Sequence, residues 1–415
     1  MGGGPAGLAA AIALRERGAE VLVADALRPP IDKACGEGLM PDARRELAKV
    51  GVELEPLHGA EFRGILFAGE RARVSAEFPR GMGIGVRRPV LHKLLAERAA
   101  ELGVRMRWGT PVVLKEGQAA MLDGERCVYR WMVGADGAAS RVRIWAGLNA
   151  GTVRSRRFGF RAHFRRAPRS EYVEIHWGEM GEAYVTPVGE NEVGVAAMTH
   201  DASVRLAEIV ESLPTLREKL AGAERTTTER GAATVTRRLR RVTSGNVALA
   251  GDASGSVDAI TGEGLGLGFR EALLLAESLE AGGLEMYEAR HAGLLALPQR
   301  MAALMLLMDH FPALRRRALG AMAARPELFR ELLAVHVGER TLARFVVRHG
   351  AEMGMLMASP RGRPGNAPHK LLSNFPFGFE RTTAGSSFTT PELCPKEQSR
   401  SLGTPKSVRG PVHSE

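Results

Sequence analysis

Cysteine is scarce in this sequence. The 415 residues hold three, Cys35, Cys127 and Cys394. They are too few and too scattered for a disulfide framework or a metal knuckle, so we expect a reducing cytoplasm and no metal. Aromatic residues make up only 5% of the chain, and no basic stretch is interleaved with rings on which bases could stack. The net charge of +10 therefore reads as a solvated arginine-rich surface, and nucleic acid is not expected as a partner. Long apolar runs are also missing. The nearest, MAALMLLM at 301–308, stops at Asp309, short of the roughly 20 residues a membrane span needs. There is no signal-peptide pattern, no H-E-x-x-H and no G-x-S-x-G.

What remains is an ordinary balance of 45% hydrophobic and 25% charged residues, on a chain long enough for two domains. It opens MGGGPAGLAAAIALRERGAEVLVAD. Gly2-x-Gly4-x-x-Gly7 is followed by an apolar helical pattern and then a β-branched strand ending in Asp25. These are the loop, helix and second strand of a βαβ dinucleotide fingerprint. The first glycine permits a tight turn, the second lets the backbone approach a pyrophosphate, and the third lets helix and strand pack closely. The helix N-terminus offers free N–H groups and partial positive charge. Asp25 stands where an acid accepts ribose hydroxyls. The strand that should deliver the loop is missing, and we expect an apolar, β-branched one to be encoded just upstream of Met1.

Two further glycine-acid turns follow. WMVGADGAASRVR (131–143) runs an apolar strand into Gly134, Asp136 and Gly137. NVALAGDASGSVDAITGEGLGLGF (246–269) delivers Gly251 and Asp252 to a turn, and Gly262, Gly264 and Gly266 then open a helix. Between them, period-two alternation over 151–243 (FGFRAHFR, YVEIHW, EAYVTPV, NEVGVAAM) predicts an antiparallel sheet with one face covered. Residues 285–358 have helical spacing and are rich in Leu, Ala, Met and Arg. After Ser359 the composition turns to Pro, Ser, Thr and Gly, and 359–415 reads as a disordered tail.

The three motifs, in this order over about residues 1–290, resemble the FAD-dependent hydroxylase superfamily typified by p-hydroxybenzoate hydroxylase and the related geranylgeranyl reductases. The resemblance implies an α/β fold. A Rossmann-like FAD-binding domain would span 1–150 and 244–290, a mainly antiparallel substrate-side sheet 151–243, and C-terminal helices 291–358. It implies that Gly2, Gly4 and Gly7 cradle the FAD diphosphate and that Asp25 holds the adenosine ribose. Asp136 would sit near the pyrophosphate, and Gly251 and Asp252 at the ribityl chain. Gly262 and Gly264 would open the helix that faces the flavin pyrimidine edge. Arg88, at the start of RPVLHKLL, matches the family's R-x-x-L and is expected at the cofactor.

Lys33-x-Cys35-Gly36-x-Gly38 is similar to the K-x-C-G-x-G of geranylgeranyl-reductase-like flavoproteins, which places Gly36 and Gly38 beside the flavin ring. Cys35 reads as a small buried residue. EAYVTPVG carries only Tyr184 and Pro187 where those reductases have an aromatic-rich strand ending in Phe-Pro, which argues against a long prenyl substrate. HWGEM (176–180) lacks the halogenase W-x-W-x-I-P, which argues against halogenation.

The resemblance implies NADH or NADPH as electron donor and a small organic substrate. That substrate is hydroxylated or epoxidised if oxygen reacts, or reduced at a C=C bond if oxygen is excluded. Monooxygenation is the leading expectation. A non-catalytic or truncated flavoprotein relative is a rival that the absent first strand favours. His163, His176 and His200 fall in the sheet region and are read as structural. A weak peripheral membrane contact would use Arg315, Arg316 and Arg317 beside MAALMLLMDHFPAL, but packing of that helix inside the protein is the preferred reading.

Overall fold

Pro5 starts the first helix, Pro5–Glu16, where a missing backbone N–H costs nothing. Leu8, Ile12 and the intervening alanines are all buried, because helices Gly264–Glu280 and Arg88–Glu101 both pack against it. Small residues set the approach: a Cβ on Gly268 would stand 3.1 Å from that of Ala6. The computed structural model describes residues 1–69 and 72–358. The tail expected to be disordered, 359–415, lies outside the described residues.

Two short parallel ladders carry the glycine loop. Strand Leu22–Asp25 pairs with Arg105–Trp108, and strand Met132–Gly134 pairs with Val247–Leu249. Met1 and Gly2 join the two. The Met1 ammonium donates to Val133 O at 2.8 Å. The Ala135 N–H donates to Met1 O at 2.7 Å, and the Gly2 N–H to Ala24 O at 2.9 Å. Burial holds the Met1 ammonium below its usual pKa.

The large sheet has eight strands. Its longest, Gly151–Arg165, pairs antiparallel with Glu192–Thr199 and with Arg230–Leu239. Glu182–Gly189 and Tyr172–Trp177 extend it. Gly64–Ala68 then joins Tyr172–Trp177 in parallel, and Arg73–Glu77 closes that edge. The sheet expected from 151–243 alone therefore also draws two strands from the first 150 residues. Alternation in GILFA and RVSAE shows that they are strands but carries nothing about their partner.

Side-chain alternation sorts the two faces of this sheet. Phe160, Ala162, Ala183, Val195 and Ala197 pack against helices Leu206–Glu211 and Pro214–Leu220. Arg157, Arg161, His163, Glu182 and Thr186 lie on the other face, and all are buried.

Pro312 and Pro326 each begin a new helix after Glu285–His310, namely Pro312–Ala324 and Pro326–His336. Met301, Met305, Met308, Met322 and Phe329 form one cluster with Phe67, Val173, Ile175 and Trp177 of the sheet. Phe67 stacks on Trp177 with centroids 5.0 Å apart. Among the described residues, Glu285–His310 is the one helix long and apolar enough to cross a membrane, and its Met301, Met305 and Met308 lie in this cluster. Arg315 does not join Arg316 and Arg317 on the surface. It shares a helical face with Ala318, Leu319 and Met322, is buried with them, and sits over the Trp177 ring at 5.6 Å.

A Cβ on Gly7 would lie 2.0 Å from Gly2 O, a backbone atom that cannot turn aside. Gly7→Ala is expected to lower stability by about 1–3 kcal/mol through overpacking, read by chemical denaturation. An unchanged midpoint would show that the loop yields.

Candidate active site

The glycine loop, the 32–38 loop, both glycine-acid turns and the inner face of the large sheet enclose one cavity of about 670 Å³. That is the size of a cofactor or small-ligand pocket. All the residues expected at the cofactor line it except Gly7.

The glycines divide by what their missing side chains would meet. A Cβ on Gly2 would strike Ala135 O at 2.3 Å, and one on Gly251 would meet Ala6 at 2.8 Å. These glycines serve packing. At Gly4, Gly36, Gly262 and Gly264 a Cβ would meet nothing within 4 Å. Their bare backbone faces the cavity, as a flat ring or a diphosphate lying against it requires. Gly262 also has φ 68°, which closes the turn Ala259–Thr261 ahead of helix Gly264–Glu280. That helix presents its N-terminal glycine, Gly264, to the cavity.

The acids play unequal parts. Asp25 Oδ2 accepts from Gly3 N–H at 2.7 Å and Oδ1 from Leu27 N–H at 2.8 Å. It thus ties the phosphate loop to its strand and keeps further lone pairs for a ribose. Asp136 is engaged by its own neighbours. It accepts from Ser140 Oγ at 2.5 Å, Arg141 N–H at 2.7 Å and Val142 N–H at 3.2 Å, so its carboxylate shapes the turn that lines the cavity. Asp252 pairs with Lys33 at 2.9 Å, which couples the third motif to the K-x-C-G-x-G loop. Arg88 Nε is buried with no hydrogen-bond partner among the described residues. A buried, unmatched guanidinium N–H beside bare glycine backbone suits a phosphate-bearing cofactor.

Several supporting residues were not legible in the sequence. Glu271 Oε2 accepts from Gly251 N–H at 2.5 Å and from Ser254 Oγ at 3.1 Å, and His291 Nε2 lies 3.2 Å from its other oxygen. An acid inside the apolar stripe of GLGLGFREALLLAESL was the available signal. Glu37, the unassigned residue of K-x-C-G-x-G, is 2% exposed. It accepts from Arg88 N–H at 2.8 Å and meets His163 Nε2 at 2.6 Å. Arg161 contacts Asp32, so this loop is clamped to the sheet at two points. An acid between two glycines was the signal here.

Cys35 lines the cavity as a free thiol. His176 pairs with Glu174 at 3.0 Å and Thr215 at 3.2 Å, and His200 meets Asp309 at 3.3 Å. Neither lines the cavity, whereas His336 does, and its Nε2–H donates to Thr261 O at 3.1 Å. Among the described residues no His, Cys, Asp and Glu group is arranged to hold a metal.

Away from the glycines the cavity is apolar. Ile65, Phe67, Val173 and Ile175 line one wall, and Met301, Met305, Met308, Met322 and Phe329 the other. Methionines fit irregular apolar ligands because their unbranched thioethers adapt.

A glycine loop at a helix N-terminus and a bare glycine floor opening into an apolar pocket are what a dinucleotide-binding oxidoreductase requires. The chain belongs to the FAD binding domain family, whose description matches residues 1–284. It is similar to menaquinone reductase of Mycobacterium tuberculosis, 27% identical over 310 residues, covering 68% of this chain and 76% of that protein. It is similar to digeranylgeranylglycerophospholipid reductase 1 of Methanopyrus kandleri, 30% identical over 295 residues, covering 64% of this chain and 75% of that one. The solved structure of 2-methyl-3-hydroxypyridine-5-carboxylic acid oxygenase matches with TM-score 0.61 and 26% identity, over 77% of this chain and 92% of that one. The protein is an FAD-dependent oxidoreductase of the hydroxylase and geranylgeranyl reductase superfamily, as its three motifs implied.

Asp252→Ala is expected to weaken FAD binding by about 1–3 kcal/mol, the size of one lost hydrogen bond to a polar partner. Titration of the flavin-free protein with FAD reads this directly. Unchanged affinity would remove Asp252 from the site.

Proposed function

We propose that the enzyme reduces a carbon–carbon double bond in a lipophilic organic substrate, with FAD as its cofactor and NADH or NADPH as electron donor. The observation that carries this reading is the cavity itself. It passes from the glycine cradle into a wall of methionine and phenylalanine. Such a wall excludes water and holds an apolar ligand against whatever lies on the glycine floor. FAD, when bound, supplies hydride transfer between the nicotinamide donor and the substrate.

The chain's own residues then bind and orient. Gly2, Gly4 and Arg88 would hold the diphosphate, with Gly7 packing behind the loop and Asp25 on the ribose. Asp136 would shape the pyrophosphate turn, and Gly251 and Asp252 would take the ribityl chain. Gly36, Gly38, Gly262 and Gly264 would leave room for the ring, and the N-terminus of helix Gly264–Glu280 would stabilise the negative charge of its reduced form. In this reading 1–150 with 244–290 is the cofactor domain, 151–243 walls the substrate, and 291–358 closes the pocket. A cytoplasmic setting accords with the free cysteines Cys35 and Cys127, and exposed Arg316 and Arg317 would serve any weak contact with anionic lipid.

The apolar wall answers the reduced aromatic content of EAYVTPVG: methionines from other helices supply what that strand lacks. Two relatives named as reductases, each matched over about three quarters of its length, support reduction. A second reading, NAD(P)H-driven hydroxylation, is favoured by the oxygenase structure at 26% identity.

The test uses FAD-loaded enzyme reduced with dithionite under argon, freed of excess dithionite and mixed with detergent-dispersed geranylgeraniol. Mass spectrometry is expected to find product that has gained two hydrogens. Turnover only in the presence of oxygen, with label from ¹⁸O₂ in the product, would overturn reduction in favour of hydroxylation.

A further inference from the structure

The inner face of the large sheet holds a buried charge cluster that cofactor binding does not use. Arg157 is 0% exposed and has three carboxylates about it. Asp258 Oδ1 is 2.9 Å from Nη1, while Glu182 Oε1 at 2.5 Å and Asp309 Oδ2 at 3.9 Å share Nη2. One cation does not balance three anions away from water.

The hydrogen-bond donors decide which carboxyl keeps a proton. Asp258 accepts from Arg157, from Ile260 N–H at 3.1 Å and from Ser155 Oγ at 3.2 Å. Asp309 lies nearer the surface, against the exposed His200. Glu182 is 0% exposed, its Oε2 has no partner among the described residues, and its one aligned hydrogen bond comes from Tyr184 Oη at 3.2 Å. Burial pushes the Glu182 carboxyl up to about 8; Arg157 opposes this and Asp309 adds to it. Of the three acids, Glu182 has the fewest donors about it and is the one placed to hold a proton.

Tyr184 stands between that proton and the cavity. Its ring packs on the apolar cluster and lines the pocket. Its Oη is also 3.4 Å from Ile260 O, in the turn that leads to Gly262. The hydroxyl therefore has the buried carboxyl on one side and the cofactor-side loop on the other.

We infer that Tyr184 donates the proton that reduction of the substrate requires and that Glu182 replaces it. The inference rests on the reductase reading above. When one carbon of a C=C bond takes a hydride, its neighbour must take a proton. Both electrons arrive with the hydride, from reduced flavin that the nicotinamide donor regenerates. The Tyr184 O–H bond breaks as the new C–H bond forms. The Glu182 proton moves to the phenolic oxygen, and Glu182 is left as a carboxylate facing Arg157. Solvent then re-protonates Glu182. Burial raises Tyr184 well above its ordinary pKa, so the hydroxyl stays protonated until an acceptor is in place.

Tyr184→Phe and Glu182→Gln test this in the FAD-loaded enzyme, reduced with dithionite under argon, freed of excess dithionite and mixed with geranylgeraniol. Tyr184→Phe is expected to bind FAD and accept electrons as the wild type does, but to be reoxidised by substrate about 100-fold more slowly, the usual weight of a general acid. Infrared spectra of the flavin-free wild type are expected to show a protonated-carboxyl C=O band at pH 7. The band should weaken as pH passes about 8 and be weaker in Glu182→Gln, where the buried Glu263, also raised by burial, can still contribute. Reoxidation of Tyr184→Phe at the wild-type rate, or a band of unchanged intensity in Glu182→Gln, would overturn the inference. A wild type that leaves geranylgeraniol unreduced sinks the reductase reading and the donor role with it, while the band still separately settles whether Glu182 holds its proton.

Discussion

A flat cofactor and its diphosphate can lie against a protein only where the backbone is bare. Gly4, Gly36, Gly262 and Gly264 leave such bare backbone along the cavity, from three separate stretches of chain. Much of the rest keeps those stretches in register. Asp25 ties the first loop to its strand through Gly3 N–H. Glu37 and Arg161 clamp the second loop to the sheet. Glu271 holds the third at Gly251 N–H. The glycines that do pack, Gly2, Gly7 and Gly268, let helix and loop backbones approach to distances no side chain would allow.

This scaffold explains why the large sheet has two unlike faces. The outer face is an ordinary apolar layer under two short helices. The inner face must meet a loop that carries polar groups, and it does so with buried arginines, each matched to acids. Arg161 meets Asp32 and Glu37, and Arg157 meets Asp258 and Glu182. Removing one partner from such a pair would strand a charge without water, at a cost larger than the pair contributes when whole. The same desolvation that makes these pairs demanding pushes the Glu182 carboxyl above its ordinary pKa.

Much of the cofactor site was legible because its signals are local. A glycine loop, its helix and the acid that ends the next strand lie within 25 residues, and each glycine-acid turn announces itself within a dozen. The strands of 151–243 were equally readable from their alternation. The apolar pocket was not, since Phe67, Ile175, Met305 and Phe329 come from four distant segments. Arg315 is instructive. In sequence it is one of three consecutive arginines, but helical rotation turns it onto the Trp177 ring while Arg316 and Arg317 face outward.

The sequence by itself determined the class of cofactor, the order of the three motifs and the type of most elements, because each depends on side-chain pattern over a few turns or strand pairs. Tertiary structure alone decided that Gly64–Ala68 and Arg73–Glu77 join the large sheet, that Glu271 and Glu37 support the loops, and that Glu182 shares Arg157 with Asp258. Those partners lie from about 20 to more than 120 residues apart. No periodicity relates them, and a buried charge selects its counterion only after the chain has removed water from both.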